Sequence, residues 1–205
     1  MDLFDKLARV YENFLPPPSP DEWAEAMGDP VQTLLDLGGG TGRVASVLRT
    51  KAQRAIVLDR SAGMLAMARR QGGLLLVRGR AEELPFRDEG VDLVLIVDAF
   101  HHFDDHRRVL SELSRVLRVG GRVIVEEPDA GLWLVRAASL LERLMGLTSH
   151  FVPPEVIARQ LAARGFRTEI RPRRGVQRRI VGEKMAAPGR TQANPCRISP
   201  GPELL

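Results

Sequence analysis

The chain has 205 residues with 44% hydrophobic and 5% aromatic side chains, a formal charge of +4 and one cysteine, Cys196. That length suffices for one α/β domain with its own core, and a lone cysteine excludes a disulfide framework or a cysteine metal cluster, which fits a reducing, cytoplasmic setting. Asp2 and Asp5 stand where a secretory leader would need basic residues, and no apolar run reaches the ~20 residues of a membrane span.

Leu3, Leu7, Val10, Tyr11 and Phe14 recur at helical spacing, so residues 2–14 are expected to form an amphipathic helix that Pro16-Pro17-Pro18 ends. A short helix follows through Trp23 and Met27. From there strands and helices alternate. Strands are expected over 32–37, 54–59, 73–78, 91–97 and 121–127, and helices over 42–50, 61–70 and 104–117. The strands are near-continuous apolar runs, as in Val91-Asp92-Leu93-Val94-Leu95-Ile96-Val97. Such runs suit a mostly parallel, doubly wound Rossmann-like sheet covered on both faces. An apolar helix with only a narrow polar stripe (Arg136, Ser139, Arg143) is expected over 131–147, and another helix over 153–164 begins at Pro153-Pro154-Glu155. Strands over 166–171 and 176–183 would close the sheet as a hairpin around Arg173-Arg174-Gly175, giving about seven strands. Residues 1–184 thus read as one domain with an N-terminal helical cap (1–29) and a lid-like helix (131–150). The Pro-, Gly- and polar-rich residues 185–205 read as a disordered tail.

Charge is unevenly placed along this order. Residues 1–163 carry 20 Lys+Arg against 23 Asp+Glu, and residues 164–205 carry 10 against 3, so the parts are −3 and +7. A basic end can attract nucleic acid or an anionic membrane surface. The simpler reading is an arginine-protected sheet edge, and a nucleic-acid partner is not the favoured one.

The first expected strand runs through Leu34-Leu35-Asp36-Leu37 directly into Gly38-Gly39-Gly40-Thr41-Gly42. Gly38, Gly40 and Gly42 permit positive φ and close approach of backbone to a ligand, at the strand ends where open α/β sheets bind theirs. A dinucleotide fingerprint would place glycine where Arg43 stands, and a Walker loop would need Gly-Lys-Ser/Thr; neither pattern is met. Asp59 ends the second strand, where a carboxylate accepts from vicinal ribose hydroxyls or caps the helix that starts near Ser61.

Over about residues 30–127 this pattern resembles the class I S-adenosylmethionine-dependent methyltransferases. Leu34 to Gly42 resembles their first motif, and Asp59-Arg60-Ser61-Ala62-Gly63-Met64-Leu65 their second, with Met64 placed to pack on adenine. Gly79-Arg80-Ala81-Glu82-Glu83-Leu84-Pro85-Phe86 resembles the adenine-reading loop, and Val116 to Val123 the approach to strand five. Arg80 departs from the family's usual aspartate: it cannot accept from an adenine amino group but can stack on the ring, leaving Glu82 or backbone carbonyls as acceptors. The resemblance places cofactor contacts at Asp36, Gly38, Gly40, Gly42, Asp59, Arg60, Met64, Arg80, Ala81, Glu82, Val97, Asp98 and Tyr11. It implies S-adenosylmethionine as methyl donor and no metal.

Strand four leads into Asp98-Ala99-Phe100-His101-His102-Phe103. The resemblance puts backbone carbonyls of Val97 and Asp98 on the methionine ammonium. His101 or His102 is a candidate base near neutral pH, or else one caps the next helix and the other packs on the sheet. The Asn/Asp-Pro-Pro-Tyr/Phe signature of nucleic-acid amino methylation is absent here. The opening Leu3-Phe4-Asp5-Lys6-Leu7-Ala8-Arg9-Val10-Tyr11 is similar to the start of the ubiquinone/menaquinone biosynthesis C-methyltransferases, in which such a helix covers the cofactor; Tyr11 fits that role and the helix's apolar face equally. The helix over 131–147, with Trp133, Leu134, Leu140, Leu141, Leu144 and Met145, suits a cover over an apolar small-molecule acceptor, ordinary core packing, or a homodimer interface. The competing readings are an RNA- or protein-directed methyltransferase using the basic end, and a non-catalytic cofactor-binding relative suggested by Arg80.

Overall fold

The computed structural model describes residues 18–129, 150–173 and 176–186. The helices expected over 2–14 and 131–147, Tyr11, and the stretch from residue 187 onward lie outside them.

Seven strands make one sheet in the order β3-β2-β1-β4-β5-β7-β6. They are β1 (Val31–Leu37), β2 (Ala52–Asp59), β3 (Leu75–Arg78), β4 (Val91–Val97), β5 (Leu117–Pro128), β6 (Phe166–Pro172) and β7 (Gln177–Lys184). All adjacent pairs are parallel except β5–β7 and β6–β7. The expected hairpin therefore forms, with β7 inserted between β5 and β6. The order reverses between β1 and β4, and the glycine loop leaves β1 at that switch, where a crevice must open because successive crossovers run to opposite sides.

Consecutive residues of the central strands face opposite layers, and the sequence fills both. Leu35, Leu37, Val94, Ile96, Val123 and Val125 belong to one buried cluster. They pack with Val109, Leu110, Leu113 and Val116 of α4 (His106–Val116) and with Ile157 and Leu161 of α5 (Pro154–Ala162). Leu34, Leu93, Leu95 and Ile124 face the other way, against Trp23 and Met27 of α1 (Pro20–Met27) and Val44 and Leu48 of α2 (Arg43–Leu48). Leu65 of α3 (Ala62–Ala68) extends that layer. Each fully buried Leu or Val contributes about 1.5–3 kcal/mol. Trp23, Ala26 and Met27 of α1 are thus part of the core.

The helix starts are read locally. Ser61 accepts from the Met64 amide at 3.1 Å and Asp105 from the Arg108 amide at 3.1 Å, satisfying donors that helix geometry leaves over. Several boundaries differ from expectation by a few residues, two of them for a local reason. β3 begins at Leu75 because Gly72 and Gly73 both hold positive φ, +68° and +67°, in the turn before it. β5 begins at Leu117, ahead of the expected 121. Val91 pairs with Leu117 and Leu93 with Arg122, so residues 118–121 bulge out of register around Gly120.

Among the described residues, most basic side chains of the C-terminal part pair with carboxylates of the chain. Arg173 pairs with Glu22 and Glu126, Arg178 with Asp129, Arg179 with Glu126, Arg167 with Glu183, and Lys184 with Glu89. Arg179 is 5% exposed and lies over the Trp23 ring, 4.4 Å from its centroid. This end of the sheet is bound to the acidic remainder of the chain.

Candidate functional site

A cleft of about 990 Å³, part of it open to solvent, lies across the carboxyl ends of β1, β2 and β4. Its walls are built from four loops: Gly38–Thr41 after β1, Asp59–Arg60 after β2, Gly79–Glu82 after β3, and Asp98–Asp104 after β4. These loops bring together every site residue expected in the described chain except Gly42 and His101.

The glycine loop is held close against its neighbours. Gly38 has φ +69°, and a Cβ there would sit 2.8 Å from the Ala99 Cβ. A Cβ on Gly39 would sit 2.5 Å from the Asp36 Cγ, so the Asp36 carboxyl lies directly under the loop. Gly42 instead serves packing: its φ is +73°, and a Cβ would sit 2.8 Å from Leu74 Cδ1. Gly40 differs again, because a Cβ there would meet only the Met64 Sδ, at 3.7 Å, and would occupy the cleft itself. A ligand can therefore lie against the backbone at Gly40.

Asp59 does not cap the helix that follows, whose N-cap is Ser61, and instead ties the glycine loop to the end of β2. Its Oδ2 accepts from the Gly40 amide at 2.9 Å and its Oδ1 from the Ser61 amide at 2.8 Å. Both oxygens of this acceptor-only group are thus oriented by backbone donors. Met64 is 4% exposed and lines the same wall.

Across the cleft, Arg80 Nη2 lies 2.9 Å from Asp104 Oδ2, and Arg80 Nε lies 3.4 Å from Glu82 Oε2. Glu82 is 8% exposed, and its Oε1 accepts from the Asp104 and Asp105 amides at 3.0 and 3.4 Å. Glu82 is thus occupied in tying the β3 loop to the start of α4.

The β4 end is set by a carboxylate that sequence reasoning missed. Glu127, 3% exposed, accepts from the Ala99 and Phe100 amides at 2.8 and 2.7 Å through Oε1 and from His101 Nδ1 at 2.5 Å through Oε2. His101 is itself 6% exposed and stacks on Phe151, centroids 4.2 Å apart. His102 lines the cleft, and burial, with His101 and Arg60 nearby, lowers its pKa to about 3. It is therefore neutral at physiological pH and a weak proton acceptor. Burial likewise raises the pKa of Asp36, to about 7, the Ala45 amide opposing, and that of Asp98 above the usual carboxylate range. The signal for Glu127 was available: Glu126-Glu127 are two acids in an otherwise apolar strand, and buried acids need partners.

The strand-order reversal and this cleft define a Rossmann-like α/β protein with a ligand site at the switch point. Residues 35–125 match the methyltransferase domain family. The chain is 30% identical over 190 residues to the demethylmenaquinone methyltransferase of Deinococcus radiodurans, covering 78% of this chain and 79% of that one. It is 35% identical over 139 residues to the demethylmenaquinone methyltransferase of Thermotoga maritima, spanning 62% of this chain and only 60% of the relative's length. A solved S-adenosylmethionine-dependent methyltransferase from Thermotoga maritima shares the fold with TM-score 0.74 at 24% identity, over 88% of this chain and 97% of that one. The chain belongs to the class I S-adenosylmethionine-dependent methyltransferase family.

Proposed function

We propose that the protein transfers a methyl group from S-adenosylmethionine to a small, quinone-like acceptor. The observation that carries the donor half is Asp59: its carboxylate lines the cleft at the end of β2, oriented by the Gly40 and Ser61 amides, and is an acceptor-only group of the kind that binds ribose hydroxyls. Open backbone at Gly40 accommodates the adenosine, and Met64 provides an apolar platform for the ring. Asp36, beneath the glycine loop, and the chain at Val97 and Asp98 supply negative potential for the methionine ammonium. When bound, S-adenosylmethionine supplies an electrophilic methyl carbon on a sulfonium. The protein's task is then to exclude water and hold the acceptor in line, the larger source of acceleration in such a displacement.

The acceptor half rests on the demethylmenaquinone-directed relatives. The described basic residues of the C-terminal part largely pair with the chain's own carboxylates, which disfavours a nucleic-acid substrate. The same reading assigns a cytoplasmic setting. Calorimetric titration with S-adenosylhomocysteine tests the donor half: the parent is expected to bind at micromolar concentration and Asp59→Ala at least tenfold more weakly. Absence of binding to the parent, or equal binding by the variant, would overturn it.

A further inference from the structure

The acids lining the cleft are Asp36, Asp59, Glu82, Asp98 and Asp104, and most of them are already committed. Asp36 lies under the glycine loop, Asp98 is bonded to Gln177, and Asp59 is held at the end of β2 by two amides. Both Glu82 oxygens are engaged, Oε1 by the Asp104 and Asp105 amides and Oε2 by Arg80. Asp104 stands apart from these four. Its side chain is 52% exposed, yet its position is fixed from two sides. Its amide donates to buried Glu82 at 3.0 Å, and its Oδ2 lies 2.9 Å from Arg80 Nη2 and 3.9 Å from Arg60 Nη1. Both guanidinium groups approach the same oxygen, and Oδ1 accepts no hydrogen bond among the described residues.

The connectivity of the methyl donor decides which of its groups reaches Asp104. Its ribose carries the amino-acid chain on one carbon and the base on another, so the two extend to opposite sides of the sugar. With the ribose at Asp59 after β2 and the ammonium near Asp36, Val97 and Asp98 after β1 and β4, the base extends the other way. In the order β3-β2-β1-β4 that direction is toward the loop after β3. There Arg80 offers only donors, whereas the adenine amino group needs an acceptor. Asp104 is joined to that same loop through Glu82 and Arg80. We infer that Asp104 accepts the hydrogen bond of the adenine amino group, with Arg80 and Arg60 holding its carboxylate in place. An acid from the loop after β4 thus does what Arg80 cannot. This rests on the reading of the protein as an S-adenosylmethionine-dependent methyltransferase. It makes Asp104 a specificity-determining residue that distinguishes adenine from a 6-oxopurine.

The test is calorimetric titration of the full chain with S-adenosylhomocysteine and with S-inosylhomocysteine, in which a carbonyl oxygen replaces the amino group. The parent is expected to bind S-adenosylhomocysteine at least tenfold more tightly. In Asp104→Asn the side-chain oxygen must face the donor-only Arg80, so the new NH2 stands where Oδ1 stood. A donor there opposes the adenine amino group and suits the 6-oxo oxygen. The ratio of the two affinities should therefore fall at least fivefold relative to the parent. A smaller fall, including a uniform weakening of both ligands such as a merely structural role would give, would overturn the inference and assign the amino group to another acceptor. Lack of any preference for S-adenosylhomocysteine in the parent would overturn it without a variant. A parent that binds neither ligand would instead overturn the methyltransferase reading beneath it.

Discussion

Replacing Glu127 tests how the end of β4 is held. The Ala99 amide, the Phe100 amide and His101 Nδ1 all converge on this one buried carboxylate. Glu127→Ala leaves up to three donors unmatched at about 1–3 kcal/mol each, so roughly 3–9 kcal/mol if they added, against a total stability of about 5–15 kcal/mol. At about 2–4 °C per kcal/mol for a chain of this size, the melting temperature should fall by at least about 6 °C. Glu127→Gln separates charge from geometry. Its oxygen can still accept from the two amides, but its amide nitrogen cannot accept from His101 Nδ1, so the ring must change tautomer. Only the charge assistance is lost, about 1–2 kcal/mol, or roughly 2–8 °C by the same conversion. Thermal melts by circular dichroism, with S-adenosylhomocysteine titration on the folded variants, measure both. A Glu127→Ala melt within 2 °C of the parent, or a Glu127→Gln variant as damaged as Glu127→Ala, would refute the assignment.

Asp36 provides a pH test whose sign follows from its pKa of about 7 in the fold against 3.8 for a free side chain. The native state holds the proton more tightly than the unfolded chain, so this group's contribution to stability is fully present below pH ~3.8 and is lost as pH rises through ~7. Asp36→Asn should flatten the decline in stability between about pH 5 and 7, read from urea midpoints. A cationic ligand above the loop favours the ionised form, so S-adenosylmethionine affinity should rise with pH through about 7 with proton release, and both effects should vanish in Asp36→Asn. Gly38→Val combines a left-handed φ that costs an L-residue about 1–2 kcal/mol with a Cβ 2.8 Å from Ala99. It should lower S-adenosylhomocysteine affinity at least tenfold; unchanged affinity would show that the loop relaxes freely. Removal of Glu126 takes the carboxylate from buried Arg179 and leaves Arg173 with Glu22, so Glu126→Ala should destabilise by about 3–5 kcal/mol, seen as a lower urea midpoint.

Much of the fold is local in origin and therefore legible in the chain. Apolar runs such as Val91–Val97 specify strands buried on both faces, the i, i+1, i+4 and i+7 apolar positions of α4 (Val109, Leu110, Leu113, Val116) specify its packed side, and Ser61 and Asp105 mark helix starts by accepting from the amides of residues three ahead. The glycine loop and Asp59 are legible for the same reason, since each must follow a strand directly to reach the sheet's ligand end. The alternation of capping and ribose contact at Asp59 was undecidable there, because a carboxylate has capacity for both. What depended on tertiary structure is pairing across distance. Glu127 with His101, Asp98 with Gln177, and Glu126 with Arg173 and Arg179 are separated by 26, 79, 47 and 53 residues, and no periodicity links them. The insertion of β7 between β5 and β6 and the burial that moves Asp36 and His102 in opposite directions likewise exist only once the sheet has formed. Side-chain type and local spacing determined which groups lie at the strand ends; only the folded sheet decided which of them face one another, because partner and solvent exposure are properties of assembled neighbours.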